Sequence, residues 1–407
     1  MNQRRHKPIL AAAFLAASLL TYPFLGQAQR ILTGADQTEK YLPLLKDANV
    51  AVFANQTTVI GQTHLVDTLL RSGIHVRKIF SPEHGFRGKE PDGAHINSAI
   101  DSATGVQIVS LYGDKNKPTA GDLADVDILI FDIQDVGTRF YTYISSLQKY
   151  IESAIQNNKP LIILDRPNPN SFYVDGPILD LKFKSFVGMQ PIPVVYGMTI
   201  GEYAKMLIGQ RWLDSAIKDY RTGNKDPKGF KLTVIPCRNY THASRYQLPV
   251  APSPNLPNMQ SVYLYPSICF FEGTNVSLGR GTSKPFQQFG CPWFPHEGYH
   301  FTPESMPSSR KPPLQGQTCY GLDLSAVDVT AETHNGLTLK WLLKSYQLFS
   351  QKDSFFLPTK YINKLAGTDL LAWQIRQGLS EKEIRASWQP ALDNFKKIRK
   401  KYLIYAD

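Results

Sequence analysis

The sequence predicts an α/β protein with a doubly wound, mostly parallel sheet, followed by a smaller α+β auxiliary domain. In the first half of the chain, short apolar runs alternate with helical stretches, which is typical of βα units. These runs are continuous rather than alternating, as expected for parallel strands that are buried on both faces. Because 42% of the residues are apolar and 11% are aromatic, the chain can bury a large core and is not expected to be disordered. Together these features predict a Rossmann-like first domain.

Five runs are predicted to form strands of this sheet, at residues 50–54, 76–80, 106–111, 128–132 and 161–164. Helices are predicted at residues 65–72, after the first strand, and at 141–157, after the fourth. In the second of these helices, apolar residues recur at helical spacing. One more strand and helix are predicted at residues 193–196 and 199–209.

A proline-rich segment, residues 249–257, carries four prolines in nine positions. Such a composition is typical of a linker between domains. We therefore predict a catalytic domain over residues 29–248 and an auxiliary domain over 249–407 that closes the cleft. A proline-rich loop inside one domain is the alternative.

The N-terminus has the features of a signal peptide over residues 1–28. A basic start is followed by an apolar run at residues 8–20, and Gly26 and Ala28 provide the small side chains of a cleavage site after Ala28. The sequence therefore predicts export to the periplasm or the outside of the cell. Because the apolar run is short for a membrane span, no stable membrane insertion is expected.

The net charge of +11 includes a basic run at residues 396–401. A solvated face of the last helix explains this run better than attraction to an anionic polymer. No nucleic-acid motif accompanies it, so nucleic acid is not an expected partner. The four cysteines match no zinc pattern, and both disulfides and free buried thiols remain open for Cys237, Cys269, Cys291 and Cys319.

The ends of the predicted strands are unusually polar. In open α/β sheets, ligands bind beyond the carboxyl ends of the strands. We therefore expect these loops to open into one shared hollow. The polar and aromatic residues that follow the strands are Asn55; Glu83, His84 and Arg87; Asp132, Asp135, Arg139 and Tyr141; and Asp165 and Arg166.

Several motifs are absent from the sequence, and their absence argues against the reactions that depend on them. The sequence has no glycine-rich dinucleotide fingerprint, no phosphate-binding loop and no nucleophile elbow. Acids and bases without an obvious nucleophilic Ser or Cys suit carboxylate acid/base catalysis, as in glycoside hydrolysis. No cofactor is predicted, and a metal held by His84 and the carboxylates lacks a ligand spacing that would support it.

Glu83 is the strongest single catalytic candidate, because Pro82 and Gly85 would fix a tight turn that directs its carboxyl group into the hollow. His84 and Asp132 are further candidates. A structural pair of Glu83 with Arg87 is the alternative.

In the second half, residues 270–285 form a glycine-rich cluster with charged side chains. Glu272 is a catalytic candidate, whereas Asn275 and Arg280 are candidates for binding an anionic ligand. A glycine-rich turn between strands is the alternative interpretation.

Five ordered motifs resemble the exo-β-N-acetylmuramidases of the NamZ type. They are SPEHGFRG at 81–88, FDIQDVGTRFYTY at 131–143, LDRPNP at 164–169, VYGMTIGE at 195–202 and FEGTNVSLGRGT at 271–282. The resemblance extends from about residue 40 to the C-terminal KYLIY. It implies a Rossmann-like catalytic domain, an auxiliary domain and a cleft between them.

The resemblance also implies an activity, namely cofactor-free hydrolysis of the β-1,4 bond that releases N-acetylmuramic acid (MurNAc) from the non-reducing end of peptidoglycan fragments. The implied partners are muropeptides or MurNAc-GlcNAc saccharides. It places the acid at Glu83 and leaves the second group open among Glu272, Asp132 and His84. Because MurNAc carries a lactyl carboxylate, the pocket needs a cation, for which Arg139 and Arg280 are the candidates. A non-catalytic muropeptide-binding protein and a metal-dependent hydrolase are the alternatives.

Overall fold

A seven-stranded sheet forms the centre of the fold in the structure, a computed structural model that describes residues 29–83, 85–87, 99–213, 230–334 and 336–407. The described strands are β1 (Asn49–Ala54), β2 (Val59–Ile60), β3 (Thr63–His64), β4 (His75–Ser81), β5 (Ala99–Ile100), β6 (Gln107–Ser110), β7 (Ile128–Asp132), β8 (Leu161–Leu164), β9 (Leu232–Ile235), β10 (Gln288–Cys291), β11 (His300–Phe301) and β12 (Cys319–Asp323). The described α-helices are α1 (Thr38–Leu45), α2 (Leu65–Arg71), α3 (Tyr143–Gln156), α4 (Ile200–Gly209), α5 (Met259–Ile268), α6 (Val329–Glu332), α7 (Lys340–Leu348), α8 (Tyr361–Ala366), α9 (Leu370–Arg376) and α10 (Glu381–Arg399).

The order of the strands in the central sheet is β5-β6-β4-β1-β7-β8-β9. All neighbouring pairs are parallel except β5 with β6. The six parallel strands, numbered along the chain, therefore follow the doubly wound order 3-2-1-4-5-6. The winding reverses between β1 and β7, and a ligand is expected near the carboxyl ends of the strands at this point.

The predicted fold class is confirmed, and the five predicted strands all belong to the sheet. The prediction of a strand at residues 193–196 was wrong. There, Val195 forms only isolated bridges, to Thr138 and Asp175, while the sixth parallel strand is β9. Ile192, Val194, Val195 and Tyr196 are all fully buried. Burial alone produces an apolar run, and such a run does not show whether the segment enters the sheet.

Two of the described helices, α3 after β7 and α4 after β8, cover one face of the sheet. Helix α3 is buried along most of its length, and α4 packs against it. Helix α4 begins with a capping box, in which the Thr199 hydroxyl accepts from the Glu202 N–H and the Glu202 carboxylate accepts from the Thr199 N–H. This box fixes the start of α4 beside the end of β8.

The second half of the chain contributes helices and a small antiparallel sheet of order β10-β12-β11. Residues 31–407 form one compact unit, and a single apolar cluster includes Phe53 and Phe131 of the central sheet as well as Phe271 and Phe289 of the second half. Within the proline-rich segment, residues 252, 253, 255 and 256 are buried. The domain boundary between residues 248 and 249 stays a prediction.

All four cysteines are buried free thiols. None of the helices in the described ranges is both long enough and apolar enough to cross a membrane. The predicted signal peptide, residues 1–28, lies outside the described residues.

Candidate active site

A cavity of about 830 Å³ lies beyond the carboxyl ends of β4, β6 and β7. Glu83 follows β4, Tyr112 follows β6, residues 140–142 lie between β7 and α3, and Tyr143 begins α3; together they form one wall. The opposite wall comes from the second half of the chain. It includes Ser253, Asn255, Leu256, Tyr265, Phe271, Glu272, Thr274, Asn275, Val276, Leu278, Arg280, Phe286, Ser309, Lys311, Pro313, Leu314, Leu357 and Tyr361.

The loop after β4 directs Glu83 into this cavity. The Gly85 N–H donates to the Pro82 carbonyl over 3.1 Å, and Gly85 has a φ of +73°, which side chains with a Cβ rarely adopt. The Tyr112 hydroxyl donates to Oε1 of Glu83 over 2.9 Å. Tyr112 is placed by pairing beside β4, because the Leu111 N–H donates to the Ser81 carbonyl. Glu83 is partly exposed, and the Tyr112 hydroxyl orients its carboxyl group. His84, the next residue, lies outside the described residues.

A second carboxylate, Glu272, lines the same cavity from a 3₁₀ helix at Cys269–Gly273. Arg280 donates to Oε1 of Glu272 through Nε over 3.1 Å and through Nη2 over 2.7 Å. The guanidinium also lies over the ring of Phe286, with 4.9 Å to the ring centroid. The side chains of Arg280 and Glu272 are 19% and 23% exposed. The ion pair is thus open to the cavity and held firmly at its wall.

Tyr361 lines the cavity together with both carboxylates. Burial raises the pKa of Tyr361 well above its usual value, and the negative charges of Glu272 and, to a smaller extent, Glu83 raise it further. Glu83 and Glu272 line the same cavity, although they are 189 positions apart in the sequence.

Aromatic side chains form much of the remaining lining. The ring of Tyr141 packs edge-on against Tyr143 and Tyr265, and its hydroxyl donates to the Pro252 carbonyl over 2.8 Å. Asn55 is fully buried behind this wall and donates from Nδ2 to the Tyr143 hydroxyl over 2.8 Å. A mostly apolar cavity with a few convergent polar groups is typical of a small-ligand site.

Asp132 and Arg166 do not reach the cavity. Arg166 donates from Nε to Oδ1 of Asp132 over 2.5 Å and from Nη2 to Oδ2 over 2.9 Å, and both side chains are buried. Burial raises the pKa of Asp132, and the neighbouring guanidinium opposes this shift. This ion pair fills the space at the carboxyl end of β7, where the winding of the sheet reverses. The cavity therefore lies beside this point, on the side of β4 and β6.

Asp165 and Asp135 are also enclosed by protein. Asp165 accepts from the Tyr405 hydroxyl over 2.6 Å, from Thr199 Oγ1 over 2.7 Å and from the Gly201 N–H over 2.8 Å. The expectation that four strand ends open into one hollow therefore holds for Glu83 and Tyr141 but was wrong for Asp132 and Asp165. These two strand-end residues are instead engaged by other parts of the chain: Asp132 pairs with Arg166, and Asp165 accepts a hydrogen bond from Tyr405.

The two remaining predicted arginines have other partners. Arg139 is fully buried, and its guanidinium donates to the carbonyls of Pro177, Ile192 and Leu365. Burial lowers the pKa of Arg139 to about 9. Arg87 donates to both carboxylate oxygens of Asp101, over 3.0 and 2.8 Å, rather than to Glu83. Neither arginine is placed to meet a ligand in the cavity.

Several lining residues carry no motif and were missed in the sequence. Tyr112, Tyr361 and Lys311 lie in loops or at a helix start, where nothing in the local pattern marks them. Asn275, by contrast, was predicted and does line the cavity. Among the described residues, no group of three His, Cys, Asp or Glu side chains is arranged to hold a metal ion.

We expect Asp135 to make the stability of the protein depend on pH. Burial raises the pKa of Asp135 to about 6, although hydrogen bonds from the Tyr196 hydroxyl and the Gly137 N–H lower it. The unfolded value is about 3.9, so the folded protein holds the extra proton between about pH 4 and pH 6. The free energy of unfolding should therefore fall as the pH rises through this window.

Asp135→Asn should remove this contribution. The stability advantage of the wild type over the variant should be larger at about pH 4 than at about pH 7, by about 1–3 kcal/mol. Urea unfolding of both proteins at the two pH values measures the difference. An advantage that does not change with pH would contradict the assignment.

The doubly wound sheet and the aromatic cavity with two carboxylates define an α/β protein whose ligand site is completed by the second half of the chain. The chain belongs to the family described as exo-β-N-acetylmuramidase NamZ, whose N-terminal model matches residues 50–260 and whose C-terminal model matches residues 263–405. The family resemblance of the sequence motifs is thereby confirmed.

Relatives of known name or structure cover nearly the whole chain. Peptidoglycan β-N-acetylmuramidase NamZ of Bacillus subtilis (strain 168) is 37% identical, with 92% of this chain and 92% of that protein covered. A crystal structure of a DUF1343 family protein from Bacteroides fragilis is 46% identical, with a TM-score of 0.84 over 93% of this chain and 99% of that one. A second such protein from the same organism is 26% identical, with a TM-score of 0.76 over 92% and 99%.

Proposed function

We propose that the protein is an exo-acting glycoside hydrolase that releases terminal MurNAc from the non-reducing end of peptidoglycan fragments. The observation that carries the proposal is the pair of carboxylates, Glu83 and Glu272, on one aromatic cavity. Glycoside hydrolysis most often uses two carboxyl groups on either side of the scissile bond. The named activity of the B. subtilis relative supports the same reaction.

In this proposal, Glu83 is the general acid. It lies in the cavity and donates a proton to the glycosidic oxygen as the bond breaks, while the hydrogen bond from Tyr112 fixes the direction of its carboxyl group. Glu272 is the second carboxylate, held in place by Arg280, and it stabilises the positive charge that develops on the sugar. The aromatic side chains bind the sugar ring. One water molecule adds to the anomeric carbon, and the proton that it loses restores the acid form of the carboxyl pair, so that MurNAc is released with a free hydroxyl.

The lactyl carboxylate of MurNAc needs a cation, and Lys311 is placed to provide it. Arg280 also lines the cavity, but its charge is shared with Glu272. Lys311 is exposed at the cavity and forms no ion pair within the described part of the chain. Among the described residues that line the cavity, Lys311 is therefore the cation that is available to bind the lactyl carboxylate.

Lys311→Ala should raise KM for a chromogenic MurNAc glycoside about tenfold. A tenfold change in KM corresponds to the smallest contribution usual for a hydrogen bond to a charged group. We expect this small value because Lys311 is exposed and water screens its charge. The corresponding N-acetylglucosamine glycoside lacks the lactyl group, so its kcat/KM should not change. Arg310→Ala is the matched control, since Arg310 is exposed next to Lys311 and does not line the cavity. An unchanged KM for the MurNAc substrate in the Lys311 variant would rule this role out.

The function itself is tested with purified protein and a MurNAc-GlcNAc disaccharide. We expect release of free MurNAc, followed by chromatography, and no attack on internal bonds of a long glycan. A calorimetric titration in parallel separates catalysis from binding. Heat of binding without turnover would show a non-catalytic muropeptide-binding protein instead.

Export to the periplasm or the exterior is part of the same proposal. It is supported by the basic start, the apolar run and the small residues Gly26 and Ala28 in the sequence. N-terminal sequencing of the protein recovered from the native cell should begin at Gln29. A chain that starts with Met1 would contradict export by this route.

A further inference from the structure

A second cavity, of about 690 Å³, lies next to the first. The two cavities share two lining residues, Asn275 and Leu357. We name this second cavity the outer groove. It is lined by the shared pair together with Phe183, Asp353, Ser354, Phe356, Pro358, Lys360, Ile362, Asn363, Asp369, Ala372, Trp373 and Arg376.

The wall between the cavity and the outer groove is a short pairing of two backbone segments. The Asn275 N–H donates to the Phe355 carbonyl over 2.9 Å, and the Leu357 N–H donates to the Gly273 carbonyl over 3.0 Å. The side chain of Asn275 adds a bond from Nδ2 to the Ser354 carbonyl. One of these segments directly follows Glu272. The outer groove is therefore fixed rigidly to the wall that carries the second carboxylate.

Trp373 is the most conspicuous side chain of the outer groove. It lies on α9, and 54% of its surface is exposed. Nearby, Phe183 is half-buried, and the guanidinium of Arg376 lies 5.2 Å from the centroid of the Phe356 ring. An indole left open to water inside a concave site favours a binding role. An apolar face bordered by Asn363, Asp369 and Arg376 suits a ligand with both apolar and hydroxyl-bearing faces.

The charges of the outer groove favour a neutral ligand. Its charged lining residues in the described ranges are two acids, Asp353 and Asp369, and two bases, Lys360 and Arg376. The formal charges cancel, and Asp369 already pairs with Lys182 over 3.3 Å. A neutral saccharide is complementary to such a surface, whereas an anionic peptide stem would favour a net positive one.

We propose that the outer groove is a saccharide subsite for the neutral GlcNAc unit on the reducing side of the scissile bond, with Trp373 as its stacking surface. This inference rests on the proposed function. If the terminal MurNAc fills the cavity, the rest of the glycan must extend beyond it. Asn275 and Leu357 line both the cavity and the outer groove, so the outer groove is an adjoining concave surface for that part of the glycan.

The test compares Trp373→Ala with the wild type on two substrates. One is a chromogenic MurNAc glycoside, whose leaving group is too small to extend along the groove. The other is the tetrasaccharide MurNAc-GlcNAc-MurNAc-GlcNAc. We expect kcat/KM for the tetrasaccharide to fall about tenfold or more, mainly through KM, and that for the chromogenic glycoside to stay within about twofold. Trp373→Phe should retain most of the activity on the tetrasaccharide.

Leu370→Ala is the matched control. Leu370 is on the same helix and is 52% exposed, but it does not line the groove. Leu370→Ala should leave kcat/KM for both substrates unchanged. Equal losses on both substrates, or no loss on either, in Trp373→Ala would overturn the proposal. A loss that occurs only with peptide-bearing fragments would overturn it too and would assign the groove to the peptide stem.

A failure of the proposed function has a different result, namely no turnover of either substrate by the wild type. In that case, calorimetric titration of the tetrasaccharide still tests the groove. Weaker binding by Trp373→Ala would support the subsite, and equal binding by the two proteins would reject it.

Discussion

Replacing Glu83 by Gln is expected to lower kcat for MurNAc-GlcNAc by about 10²- to 10⁴-fold, the usual contribution of general acid catalysis. Gln has the same shape, and its side-chain oxygen can still accept the hydrogen bond from the Tyr112 hydroxyl. It cannot deliver a proton to the glycosidic oxygen. Because Glu83 is partly exposed, the free energy of unfolding should change by about 0.5 kcal/mol or less.

Steady-state kinetics and thermal unfolding of the purified variant measure the two quantities. A substrate with a nitrophenolate leaving group is the sharper probe, because this group leaves with little protonation. The loss on it should be much smaller than the loss on the disaccharide. Glu304→Gln, an exposed change away from the cavity lining, is the matched control. Equal losses on both substrates, or full activity, would place the acid at another residue.

Asp132→Asn is expected to give the largest loss of stability, about 3–5 kcal/mol. It removes one partner of a buried ion pair and leaves the Arg166 guanidinium without a counter-charge at the sheet edge. Urea unfolding followed by circular dichroism measures the loss. Turnover per folded molecule should be unchanged, because Asp132 does not reach the cavity.

Two comparisons make the Asp132 experiment specific. Asp125→Asn removes the acid of a partly exposed ion pair with Lys78 and should cost about 1 kcal/mol or less. Replacing both Asp132 and Arg166 by apolar residues should cost less than the single change, because no buried charge is left. An Asp132→Asn protein that is stable but inactive would instead make Asp132 a catalytic residue.

The fold could be predicted because its strands are buried on both faces. Burial on both faces makes each of the five predicted strands an uninterrupted apolar run. The same reasoning failed at residues 193–196, since these residues are buried without joining the sheet, and it missed β9, whose residues Leu232, Thr233 and Val234 are only half-buried. An apolar run in this sequence therefore indicates a buried segment, whether or not that segment belongs to the sheet.

The site could be predicted only in part. Glu83, Glu272 and Arg280 stand in motifs with glycines or proline that shape the local backbone, and all three line the cavity. Asp165 has an equally polar neighbourhood in the sequence, but its partner, Tyr405, is 240 positions away. Lys311 lies in an irregular loop with no periodic pattern around it. Long-range partners decide which strand-end residues remain available to a ligand.

The contacts of residues 404–406 have a consequence for damage far from the cavity. Tyr405 bonds to Asp165, the Ile404 N–H donates to Glu202, and the Ala406 carbonyl accepts from the His242 N–H. These bonds fasten the tail to the end of β8 and to the first turn of α4. Removal of the tail would deprive the buried carboxylates of Asp165 and Glu202 of the donors that residues 404 and 405 provide, inside the sheet domain. The stability of the sheet domain therefore depends on a few residues at the opposite end of the polypeptide.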